Sequence, residues 1–190
     1  MTVLWWLLPA VLVFWAVGAY NRLTRLRGEA LRSYGALHAV MVRQSELLQS
    51  ALPVDPAQAP QGPPTVAGEL TDATALAWRG LRAGLLQFNA LLVATRNRAL
   101  EPEALAALAT ARGVLATAWN RVQNDGHDLA GAPVPYTVIS RWDDLVRDAD
   151  AARGQFNDSV QVYNAAVRQF PAVLLALCVG LRPARTLDAP

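Results

Sequence analysis

Apolar side chains recur along most of this chain at steps of three and four. Trp78, Leu81, Leu85, Phe88, Leu92 and Thr95 follow that stepping, and so do Leu105, Leu108, Arg112, Leu115, Trp119 and Val122. A longer run, Trp142, Leu145, Ala149, Ala152, Phe156, Ser159, Tyr163, Ala166 and Phe170, is widened by Val160 and Val167. Earlier, Tyr34, Leu37, Met41 and Leu48 fall at the same spacings. A helix turns once in about 3.6 residues, so each series lies on one face and predicts a helix burying a stripe. No window alternates with period two apart from a short PYTVI at 135–139.

The punctuation agrees with the periodicity. The first helix continues to about Ser50, and the Pro-rich PVDPAQAPQGPP at 53–64 is an extended linker. A second helix is expected over about 71–99. Glu101-Pro102-Glu103 opens a third, with proline in the first turn and acids at the positive helix end. NDGHDLAGAPVPY at 124–136 is a break, after which Ser140 opens a fourth helix with Asp143 as its capping partner. The fold class predicted is all-α, an antiparallel helical bundle of about four helices with an N-terminal transmembrane helix. Its parts are an anchor (1–21), a first bundle helix (22–52), a Pro-rich linker (53–69), the remaining bundle helices (70–171) and an apolar, basic tail (172–190).

The anchor reading rests on MTVLWWLLPAVLVFWAVGAYN, which has no charged side chain. About 20 apolar residues span a hydrocarbon core of about 30 Å. Trp5, Trp6, Trp15 and Tyr20 suit the interfacial zones. A cleaved signal peptide is the rival, because Val17-Gly18-Ala19 is suited to processing. No arginine precedes the apolar run, however, whereas Arg22, Arg25, Arg27 and Arg32 follow it at once. By the positive-inside rule these arginines hold the rest of the chain in the cytoplasm and leave a short N-terminus outside.

Composition narrows the function classes. Hydrophobic residues make up 53 % and charged ones 17 % of the 190 residues, and the anchor accounts for much of that excess. The net charge is only +2 and the basic residues, all arginine, are spread along the chain, unlike the concentrated stripe that nucleic acid requires. A lone cysteine, Cys178, forbids an internal disulfide.

Five of the seven asparagines directly follow an aromatic: Tyr20-Asn21, Phe88-Asn89, Trp119-Asn120, Phe156-Asn157 and Tyr163-Asn164. The aromatics of the bundle helices lie on the buried stripe, and each asparagine, about 100° further round, lies at its edge. There an amide can bond a neighbouring helix or its own backbone without full desolvation. The alternative is a ring of amides that binds a ligand or a lipid headgroup.

Catalytic constellations are not visible. His38 and His127 are the only imidazoles; Asp125, His127 and Asp128 sit together in a Gly-containing loop without a further ligand group. Asp143, Asp144, Asp148 and Asp150 interleave with Arg141, Arg147 and Arg153 as a salt-bridged solvent face would. There is no phosphate loop, nucleophile elbow or paired-Cys motif.

Two stretches carry a family likeness. Tyr20-Asn21-Arg22-Leu23 with Leu26-Arg27 resembles the opening YN-x-L-x-x-LR signature of the LemA family. Ala152-Arg153, Phe156-Asn157, Val160, Tyr163-Asn164 and Phe170-Pro171 resemble its closing pattern, and Gly180-Leu181 and Pro183 fall where that family has a Gly-aromatic and a Pro. The chain departs where Glu46-Leu47-Leu48-Gln49 lacks the family's proline and where Phe156 replaces a tyrosine. The resemblance is that of a diverged member. It implies a bacterial inner-membrane protein with a helical cytoplasmic domain and no established catalytic activity.

These readings converge on a non-enzymatic interaction or scaffolding module without cofactor or metal. Its partners are the lipid bilayer and other proteins, with a homo-oligomer among the expectations and nucleic acid excluded. An envelope-facing bundle that senses stress or binds a ligand is the alternative. Antiparallel packing of the first and last helices would bring the tail to the membrane. Arg22, Arg25, Arg182 and Arg185 then contact lipid headgroups, or Val173, Leu174, Leu177 and Leu181 merely cap the bundle.

Overall fold

The computed structural model describes residues 2–53, 67–125 and 134–187, with the backbone alone for residues 2–9, 67–74 and 125. The chain is all-α: the described residues form five helices and no strand. They are α1 (Thr2–Ala51), α2 (Ala67–Thr95), α3 (Pro102–Asp125), α4 (Tyr136–Arg168) and α5 (Ala172–Val179). Most of the Pro-rich linker and the loop holding His127 and Asp128 lie outside the described residues, as does the side chain of Asp125.

The stripes close on one another as antiparallel neighbours. Along α1 and α4, numbers rise on one helix as they fall on the other. Gln44 donates Nε2 to the Leu145 carbonyl at 3.2 Å, and the Tyr34 ring meets Phe156 edge-on at 5.6 Å. Nearer the bundle end, Leu23 and Ala166 border one cleft. The hairpin of α2 and α3 packs closely at Gly84, where a Cβ would stand 3.8 Å from the Leu115 backbone. His38 Nε2 lies 3.1 Å from the Leu92 carbonyl and ties α1 to α2. Across α3 and α4, Trp119 and Trp142 meet at 5.6 Å, and Arg112 bonds Asp150 at 3.0 Å.

The core contains the predicted stripe residues Leu37, Met41, Leu48, Leu81, Leu85, Phe88, Leu105, Leu108, Leu115, Trp119, Phe156 and Tyr163. Full burial of one such side chain contributes about 1.5–3 kcal/mol before chain entropy is counted. Helix α3 opens at Pro102 with Glu103 in its first turn, as its sequence predicts.

Three boundaries differ from expectation. Helix α2 spans 67–95, beginning and ending about four residues earlier than the expected 71–99. Helix α4 starts at Tyr136 rather than Ser140, after an extended Pro135 and with no side-chain cap. The Pro135 carbonyl accepts from Val138 and Ile139, so the period-two stretch is helix from Tyr136 onward. At the far end α4 stops at Arg168, and Phe170, expected on the seam after Phe156 and Tyr163, is 78 % exposed. A residue before proline is driven out of the helical region, which ends the stripe one step early.

Helix α1 runs without interruption through the junction drawn at 21–22, and outward of it Val11, Leu12, Val13, Phe14 and Val17 are exposed. Among the described residues no single helix is long and apolar enough to cross a membrane. Helices α4 and α5 reach that length and hydropathy only when joined across a 101° bend. The first nine side chains of the expected anchor lie outside the described residues.

Candidate functional site

The two asparagines of the α4 repeat do one job, and their partner is neither a neighbouring helix nor their own backbone. After α5 the chain turns back and lies along α4 as a strap. Asn164 donates Nδ2 to the Ala184 carbonyl at 2.8 Å and accepts the Ala184 N–H on Oδ1 at 2.8 Å. Seven residues earlier, Asn157 donates Nδ2 to the Leu187 carbonyl at 3.0 Å and accepts the Leu187 N–H at 2.8 Å. Each carboxamide thus satisfies both polar groups of one strap residue, which also fixes its orientation.

The spacing makes this possible. Seven helical residues advance about 10.5 Å, and three extended residues advance about 10 Å. Two clamps seven apart on the helix therefore meet two strap residues three apart. Ala184 and Leu187 are buried against the bundle, while Arg182 and Arg185 remain exposed. Leu187 joins the main core. The Tyr163 hydroxyl adds a third tie by donating to the Arg182 carbonyl at 3.0 Å. Burial pushes the Tyr163 phenol above its ordinary value, and the Arg27 guanidinium partly opposes that.

Gly180 sets up the return. It stands at φ 74°, the left-handed region that favours glycine. Its N–H reaches the Leu177 carbonyl at 3.3 Å, and the Leu181 N–H reaches Ala176 at 2.9 Å. These are the paired bonds of a Schellman motif closing α5. An apolar run followed by Gly and then Pro is the signal in the sequence for such a turn. The strap residues Ala184 and Leu187 carry no such signal.

The other singled-out residues scatter in role. Leu23 and Leu26 are buried on α1, whereas Tyr20, Asn21 and Arg27 are exposed and Asn21 clamps no strap residue. Phe156 lies fully buried against Tyr34, and Arg153 bonds Asp150 at 3.3 Å beside Arg112. Asp144 pairs with Arg147 on the solvent face. Arg25 lies 3.7 Å from Glu29. Arg22 borders a cleft of about 350 Å³ at the bundle end, together with Trp15, Phe170 and Pro171. Leu174 and Leu177 do not cap the bundle, being 57 % and 74 % exposed, although Leu181 packs against the core.

Among the described residues no group of three or more His, Cys, Asp or Glu side chains could hold a metal. Among the described residues three buried polar atoms, the Tyr34 hydroxyl, Arg112 Nη1 and Trp119 Nε1, have no hydrogen-bond partner. Burial raises the Tyr34 phenol above its ordinary value, and the Thr95 hydroxyl opposes it without reaching hydrogen-bond geometry. What this arrangement can do chemically is hold an extended backbone, reading its N–H and C=O rather than its side chains. Comparison with family models, curated proteins and solved structures finds no match to the chain.

Proposed function

We propose that this chain is a membrane-anchored helical-bundle protein of LemA type, non-enzymatic, serving as an interaction or scaffolding module at the bacterial inner membrane. Its N-terminus lies outside and the bundle lies in the cytoplasm. The observation that carries this reading is the course of α1. One unbroken helix leaves the bundle with apolar side chains exposed from Val11 to Val17, then meets Arg22, Arg25 and Arg27 as it enters the packed region. Exposed apolar side chains cost solvation in water and none in hydrocarbon, and arginines mark the cytoplasmic boundary.

The outer face of the α2–α3 hairpin supports the interaction role. A groove of about 620 Å³ runs between these helices, lined by Leu76, Gly80, Val114 and Thr117 among others. Leu86 and Val93 are exposed on the same hairpin. Exposed apolar surfaces of this kind mark protein or membrane contacts and ligand-binding grooves.

Carbonate washing of membranes from cells making the full chain, with reporters fused at its C-terminus, tests the reading. The chain is expected in the membrane pellet, with a cytoplasm-active reporter working and a periplasm-active one silent. Release into the wash removes the anchor, and activity of the periplasmic reporter alone turns the bundle toward the envelope as a sensing or ligand-binding module.

A further inference from the structure

We infer that α5 is an interfacial helix, lying flat on the anionic surface of the bilayer that α1 enters, with Phe170, Leu174 and Leu177 below the headgroups. The inference rests on the membrane-anchor reading and adds a second contact to it.

The first ground is an unpaired apolar surface. All eight residues of α5, AVLLALCV, are apolar, yet Ala176 is its only buried residue. A helix that is apolar all round is ordinarily enclosed, in a core or in lipid. Here Leu174, Leu177, Cys178 and Val179 are exposed, and Phe170 just before them is too. Leu174, Leu177 and Cys178 stand three and four apart, on one side of the helix.

Orientation is the second ground. Helix α5 is bent by 101° from α4. Since α4 runs antiparallel to α1, α5 lies across α1. At eight residues it is about 12 Å long, far short of a membrane crossing. A helix that short and so placed lies in the plane that α1 pierces. Its level along α1 is set by the cleft in which Phe170, Pro171 and Ala172 face Trp15, Gly18, Ala19 and Arg22. That is where the exposed apolar stretch of α1 gives way to its arginines.

Charge is the third. Residues 10–28 and 159–187, which build this end from α1, α4, α5 and the strap, contain no carboxylate; Glu29, which pairs with Arg25, and Asp158 stand just outside them. They contain Arg22, Arg25, Arg27, Arg168, Arg182 and Arg185. Arginines held beside an exposed apolar patch complement anionic headgroups, and each basic residue near such a surface adds to the attraction. The asparagine clamps then have a consequence at the membrane, because they fix the strap that fixes the far end of α5.

The lone cysteine supplies the probe. Cys178 of the full chain is labelled with an environment-sensitive fluorophore and the protein is reconstituted into phosphatidylethanolamine–phosphatidylglycerol vesicles carrying shallow nitroxide lipids. A reference chain, C178S with Ala151→Cys, carries the label on an exposed site of α4. Quenching several-fold stronger at 178 than at 151 is expected, and loss of that excess in a Leu174→Glu, Leu177→Glu variant that still floats with the vesicles. Equal quenching at both sites in vesicles that float the protein overturns the inference and leaves the anchor standing. A label at 178 that is blue-shifted but unquenched by the lipids also overturns it, placing another copy of the chain over α5. Failure of the wild-type chain to float overturns both.

Discussion

Asn164 and Ala184, twenty residues apart, exchange two hydrogen bonds of 2.8 Å, so that one side-chain amide does for Ala184 what a neighbouring strand would do in a sheet. Asn157 treats Leu187 in the same way one heptad away. The relationship turns a helical repeat into a rack for an extended segment, and it sets the first expectation. Replacing Asn164 by Ala removes two bonds worth about 1 kcal/mol each and leaves both Ala184 groups without a partner, for a loss of about 2 kcal/mol. Asn157→Ala is expected to cost as much. Asn120→Ala, on an exposed site of α3, is expected to change stability by less than about 0.5 kcal/mol. Urea unfolding of the detergent-solubilised full chain measures all three.

Two glycines are expected to respond with opposite sign. Gly180 sits at φ 74° and has open space around it, so an added methyl group strains only the backbone. Gly180→Ala therefore costs about 1–2 kcal/mol. Gly154 lies exposed within α4, also with open space, and there alanine is the better helix former by about 0.8–1 kcal/mol. Thermal unfolding midpoints moving in the same direction would contradict this assignment.

Tyr163 sets a dependence on alkaline pH. Burial holds its phenol above the unfolded value of 10.0, with Arg27 opposing. The folded chain thus grips the phenolic proton more tightly than the unfolded chain does. That contribution is complete below pH 10.0 and is lost as pH rises through the folded value. Stability is expected to decline as pH rises from 10.0 through the folded value and to level off beyond it, and Tyr163→Phe is expected to flatten the decline while costing about 1 kcal/mol at neutral pH. Denaturation curves collected from neutral to alkaline pH show whether the slopes differ.

The aromatics of the repeat are not equivalent. Phe156 is 0 % exposed, and truncation to alanine is expected to cost about 3–5 kcal/mol. Phe170 is 78 % exposed, and Phe170→Ser is expected to change folding stability by less than about 0.5 kcal/mol in detergent. Comparable losses at both sites would restore Phe170 to the core.

How far these features could be read in advance depends on where their partners lie. The stripes through Leu37 and Met41, through Leu81 to Thr95 and through Leu105 to Val122 were legible because burial repeats with the helical turn. The end of α4 was half legible. Counting heptads carries Phe170 onto the seam, but Pro171 forbids the helical backbone that the count assumes. The start at Tyr136 was hidden, because the Pro135 carbonyl supplies the first bonds and a backbone group leaves no mark in a sequence. The same reason hides the clamp. Asn157 and Asn164 stood out by repetition, yet what they hold is the backbone of Ala184 and Leu187, and any residue would offer the same groups. The arginines around Arg22 and Arg182 were individually visible; their grouping with α5 depends on the 101° bend, which periodicity cannot supply.

Amide hydrogen exchange at Ala184 and Leu187 in the full chain tests the central claim most directly. Both amides are expected to exchange slowly in the wild-type protein. Asn164→Ala is expected to release Ala184, and Asn157→Ala to release Leu187. Exchange at unfolded-chain rates in the wild type, or protection that survives both substitutions, would contradict the clamp.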